Sequence, residues 1–94
     1  MDIQAVVGLG NPGPEYAATR HNLGFLVVDE LAARWRVQRW RSAHHSLVAR
    51  RSGGQATWLV KPQDFMNCSG GPVAAFLAAE RIQPSQAIVV LDDI

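Results

Sequence analysis

The sequence predicts a three-layer α/β/α domain built on a mixed, partly parallel sheet, and three observations carry that prediction. Two short apolar runs rich in Val and Ile, 3–9 and 87–91, have no polar alternation, the pattern of strands covered on both faces. Two stretches with apolar residues at helical spacing, 22–36 and 69–82, follow. Between the helices, strand-like runs at 45–51 and 55–60 flank Gly53-Gly54, a hairpin signal that makes the sheet mixed.

Ninety-four residues allow one small domain, 1–94, that buries roughly 60 to 65% of its unfolded surface. With 48% hydrophobic residues and no low-complexity tract, the composition is globular. No apolar run approaches the ~20 residues of a spanning helix, and the first one lacks a basic flank and a small-residue cleavage site. A cytoplasmic protein without membrane contact is expected. Cys68 is the single cysteine, so no internal disulfide forms. The net charge of +1 hides an uneven distribution: no acid lies between Glu30 and Asp64, where Arg34, Arg36, Arg39, Arg41, Arg50, Arg51 and Lys61 all fall. That segment suits phosphate, although alternating arginines around a turn also make an ordinary solvated connector.

The first strand stops at Gly10 and Pro12. Asn22 then reads as the cap of a helix whose apolar stripe is Phe25, Val28, Leu31, Ala32 and Trp35, ending near Arg36. Lys61-Pro62 closes the hairpin's second strand. The loop 63–69 runs into a second helix with Ser69 as cap and Pro72 in its first turn, continuing through Phe76 to about Ile82. Pro84-Ser85 turns the chain into the last strand, read as buried, with Asp92 and Asp93 at its carboxyl end. If that strand is parallel to the first, Asp92 emerges on the edge that holds Asn11 and His21. A sheet with two covering helices has an unfinished edge, which suggests the N-terminal portion of a longer α/β protein.

Gly8-Leu9-Gly10-Asn11-Pro12-Gly13 matches G-x-G-x-x-G. A dinucleotide module needs its third Gly in the first turn of a helix and an acid at the end of the second strand. Here the helix starts well beyond Gly13, and Asp29 and Glu30 fall inside it, so this is the alternative reading. The favoured chemistry is hydrolysis: a neutral His21 takes a proton from water, a carboxylate orients it, and amides such as Asn11 orient the substrate carbonyl. Cys68 near a helix start is better read as a small packing residue than as a nucleophile. His44-His45 lack partners at ligand spacing, so no metal is expected. Trp35, Trp40 and Trp58 read as core or interface.

Taken together, Val7 to Gly13, Tyr16, Thr19-Arg20-His21-Asn22, Lys61-Pro62, Phe65-Met66-Asn67, Ser69-Gly70 and Asp92 resemble the N-terminal half of bacterial peptidyl-tRNA hydrolase. The likeness covers nearly the whole chain, with the motifs in order and at compatible spacing. It implies a carboxylic ester hydrolase that cleaves the bond between a peptide, or an N-blocked aminoacyl group, and the 3′ ribose of tRNA, recycling tRNA for translation. It implies no cofactor or metal, no obligate protein partner and a monomer. By the same resemblance His21 is the general base, Asp92 its supporting carboxylate, and Asn11 a discriminator of blocked from free aminoacyl-tRNA. Tyr16, Phe65 and Asn67 contact the substrate, and Met66 lines the cleft. The doubled acid leaves either Asp92 or Asp93 to reach His21, and register favours Asp92. The family pattern continues with a Gly-rich loop and basic tRNA-binding residues that this sequence does not include, so activity of these 94 residues alone is a separate question. A non-catalytic RNA-binding fragment is the remaining alternative.

Overall fold

A computed structural model describes residues 2–11, 22–53, 56–64 and 70–91. At its centre is β1 (Ala5–Gly8), with parallel neighbours on either side: β4 (Trp58–Pro62) and β5 (Ala87–Val90). Beyond β4 lie β3 (Ser46–Arg50) and β2 (Arg41–Ala43), both in antiparallel pairings, which gives the sheet order β2-β3-β4-β1-β5. The mixed, partly parallel sheet is therefore as the sequence predicts.

Alternation along β1 builds both layers at once. Ala5 and Val7 pack with Val48, Val60, Phe76 and Ile82 under α2 (Gly70–Ala79). Val6 points the other way, into Leu59, Val28 and Ala32 under α1 (Leu23–Trp35). Each large side chain buried this way contributes about 1.5 to 3 kcal/mol. Each helix is followed by an arginine in the left-handed region, Arg36 directly after α1 at φ 58° and Arg81 two residues after α2 at φ 56°. The reason is the apolar residue that follows. Val37 donates its N–H to the Ala32 carbonyl and Ile82 to the Leu77 carbonyl, and each is drawn back onto the core. Hence α2 stops at Ala79, short of the expected Ile82, which is buried beyond the helix rather than within it.

Two further expectations need correction. The sequence shows no strand at 41–43, because Arg41-Ser42-Ala43 lacks apolar alternation. It pairs as an edge strand across a two-residue turn, His44-His45, with φ 52° and 57°. Such turns usually carry Asn-Gly, so two histidines hid the signal. The sequence predicts a last strand buried on both faces, yet Ile88 and Val89 are each 46% exposed. Among the described residues β5 is the sheet's outer strand, and its composition suits more cover than those residues supply.

Candidate active edge

The carboxyl tips of β1 and β5 and the entrance of α1 meet at one edge of the sheet. Leu9 donates its backbone N–H to the Val90 carbonyl at 2.9 Å, so the two strand tips lie side by side. The Asn11 backbone N–H donates to Oδ1 of Asn22 at 2.8 Å, tying the start of the Gly-rich loop to the residue that opens α1. Asn22 is 3% exposed, and its carboxamide makes no capping bond within its own helix. The expectation of an N-cap is right for position and wrong for the side chain. A local cap bonds two or three residues ahead, whereas this side chain reaches back eleven.

Glycine makes the approach possible. A Cβ on Gly24 would run into the Leu9 backbone and the Val90 carbonyl, and one on Gly8 would run into the Gly24 carbonyl and lie 2.7 Å from Cγ2 of Val28. A Cβ on Gly10 would sit 2.8 Å from Oδ1 of Asn22. Real Cβ atoms do not make such contacts, so the first turn of α1 rests backbone to backbone on both strand tips. No acid occupies that turn, which leaves the positive end of the helix directed at the edge. Lys61 braces the same helix from β4. Its Nζ donates to Oδ1 of Asp29 at 2.7 Å and lies 5.6 Å from the Phe25 ring centroid and 5.0 Å from that of Trp40.

Of the predicted site residues, Asn11 is described and stands half-buried at this edge. Tyr16, His21, Phe65, Met66, Asn67 and Asp92, with Cys68, Ser69 and Asp93, lie outside the described residues. Asn22 and Gly24 are the contributors that sequence reasoning undervalued. The available signal was an isolated Gly inside a helical pattern, which marks a close approach. Beside the edge, an apolar cavity of about 550 Å³ opens between α2 and β5, lined by Leu9, Gly70, Val73, Leu77, Ile82 and Val89 among others. The dinucleotide alternative loses its geometry. α1 leads to an antiparallel pair instead of a second parallel strand, and the two candidate acids are engaged on the helix, Asp29 with Lys61 and Glu30 with Arg34. Among the described residues no helix is long and apolar enough to cross a membrane.

Comparison with known proteins agrees with this arrangement. The family model described as peptidyl-tRNA hydrolase matches residues 5–94. The peptidyl-tRNA hydrolase of Variovorax paradoxus is 48% identical over 94 residues, covering 98% of this chain and 45% of that protein. That of Leifsonia xyli is 50% identical over 92 residues, covering 95% and 48%. The crystal structure of peptidyl-tRNA hydrolase from Acinetobacter baumannii superposes with a TM-score of 0.91 at 36% identity, over 97% of this chain and 47% of that one. The chain thus spans about half the length of the curated relatives it matches. On sequence and fold alike, the chain belongs to the peptidyl-tRNA hydrolase family.

Proposed function

We propose that this chain carries the water-activating edge of an enzyme that hydrolyses the ester between a peptide, or an N-blocked aminoacyl group, and the 3′ ribose of tRNA. The observation that carries the reading is the meeting of β1, β5 and the α1 entrance: Leu9 bonded to Val90, and Asn11 to Asn22. His21 directly precedes Asn22 in the chain, and Asp92 follows Val90 by two residues.

Neutral His21 removes a proton from water as the oxygen attacks the ester carbonyl. Asp92 fixes the imidazole tautomer and stabilises the imidazolium that forms. Amide donors, Asn11 among them, take up charge developing on the carbonyl oxygen. Collapse of the tetrahedral intermediate breaks the bond to the ribose 3′ oxygen, which takes the proton back from His21. The products are a peptide carboxylate and tRNA with a free 3′ hydroxyl. Tyr16, Phe65 and Asn67 hold the substrate, and Met66 lines the cleft. Every group in this scheme is a side chain or a water, so no cofactor or metal is invoked. The protein works as a cytoplasmic monomer, without an obligate protein partner.

The test is single-turnover hydrolysis of N-acetyl-aminoacyl-tRNA, measured for the 94-residue chain and for the same residues joined to the remaining half of the Variovorax paradoxus relative. His21→Ala is expected to slow the active form by about 10² to 10⁴. An unchanged rate in that variant overturns the assignment of the base.

A further inference from the structure

The end of the sheet away from Asn11 has a different chemistry. There β1, β3 and β4 meet at Ala5, Arg50 and Trp58, and the carboxyl end of α1 arrives with Trp35 and Arg36. Among the described residues the ion pairs are Arg34 with Glu30 and Lys61 with Asp29. Arg36, Arg39, Arg41, Arg50 and Arg51 thus have no carboxylate within 4.0 Å among those residues. Three of them lie over indole rings: Arg51 at 4.6 Å from the Trp35 centroid, and Arg50 and Arg41 at 5.3 and 5.8 Å from that of Trp58. A guanidinium stacked on an aromatic face keeps its plane fixed and its edge N–H donors free, the presentation that phosphate oxygens require. Of these three arginines, Arg50 lines a cavity of about 220 Å³, together with Trp35, Arg36, Val37, Gln38, Arg39 and Ser52.

We infer that this arginine-lined cavity is a phosphate site that takes the sugar-phosphate backbone of the tRNA substrate, at the end of the sheet opposite the hydrolytic edge. The inference rests on the tRNA reading for the source of the phosphate. Several like charges held near one another repel, and an anion that accepts hydrogen bonds from more than one guanidinium relieves that repulsion. The distance is compatible. Strands of four or five residues are only about 13 to 17 Å long, so a polynucleotide whose 3′ end lies at one edge needs only a few nucleotides to reach the other. The apolar cavity beside Leu9 offers phosphate no comparable set of donors.

The test measures binding of deacylated tRNA to the protein by fluorescence anisotropy across a salt series, for the parent and for a triple Arg36→Gln, Arg39→Gln, Arg50→Gln variant. The expected result is at least tenfold weaker binding at low salt, with the slope of log K against log salt reduced by about 2, near 0.7 to 0.9 per lost phosphate contact. The corresponding triple Lys variant keeps charge and is expected to keep most of the slope, which separates lost contacts from a lost fold. An unchanged slope in the Gln variant overturns the site. So does polyglutamate binding as tightly as tRNA through these arginines, since that would mark an acidic protein partner. Hydrolysis of an N-acetyl-aminoacyl ester on the trinucleotide CCA is expected to be the same in the parent and the Gln variant. Turnover with an unchanged slope refutes the cavity inference alone. Cavity-dependent tRNA binding without turnover in either the 94-residue chain or its joined form refutes the hydrolytic reading alone.

Discussion

The two helices open with the same residue at the same position and in opposite surroundings. Gly24 is the second residue of α1 and is buried against the tips of β1 and β5, whereas Gly71 is the second residue of α2 and is exposed. A Cβ at Gly24 would overlap the Leu9 and Val90 backbones, while a Cβ at Gly71 meets nothing within 4 Å among the described residues. Glycine is intrinsically poor in a helix at both positions, yet only at the first does the fold require it. The helix that lies against the strand tips is the one that opens at the candidate active edge. There, close backbone approach fixes the relative positions of Asn11, Asn22 and Val90.

The sharpest way to break this comparison is Gly24→Ala. Helix propensity alone predicts a gain of about 1 kcal/mol. Overlap with backbone that has nowhere to move predicts a loss of about 3 kcal/mol, and that larger effect should decide the sign. At roughly 4 to 8 °C per kcal/mol for a domain of this size, thermal unfolding followed by circular dichroism should show Tm falling by on the order of 10 °C. A Tm that rises would show that α1 does not rest on the strand tips as described.

A smaller effect is expected from Asn22→Ala, which sharpens the comparison by testing the side chain rather than the backbone. Removing Oδ1 takes away an acceptor for the Asn11 N–H in a half-buried setting, at a cost of about 1 to 3 kcal/mol. The same change removes one tie between the start of the Gly-rich loop and the helix entrance. Ester hydrolysis should therefore fall by more than the loss of folded protein explains. Chemical denaturation and single-turnover rates measured on one preparation separate the two effects, and equal losses in both would reduce Asn22 to a stabilising residue.

The fold was legible wherever local pattern and tertiary role coincide. Val6 and Val7 lie on a strand apolar on both faces, and Val28 and Ala32 recur at helical spacing, so the core could be read directly. Legibility failed where the deciding partner is distant in sequence. Asn22 looks like a cap because capping rules consider the next few residues, while its bond goes to Asn11. Ile88 and Val89 look like interior residues because composition records the cover a strand suits, not how much of it the described residues provide. The turn at His44-His45 went unread because left-handed geometry is ordinarily announced by Gly or Asn. At the candidate site, the sequence places Asn11 at a strand end, where it stands, and the nucleotide reading of the same loop fell to topology rather than to any single residue.

The smallest expected effect has the opposite sign and completes the comparison. In Gly71→Ala the new methyl group meets nothing within 4 Å among the described residues, at an exposed helical position. The substitution adds no clash with those residues and removes conformational freedom from the unfolded chain. Stability should rise by about 0.4 to 1 kcal/mol, a shift of a few degrees in Tm, with ester hydrolysis unchanged. The informative quantity is the contrast with Gly24→Ala: one methyl group, at one helical position, in one protein, expected to move stability in opposite directions. Propensity alone gives both substitutions the same sign. A fall in stability for both would mean that the entrance of α2 is as closely approached as that of α1, and the backbone contact at the candidate edge would lose its distinction.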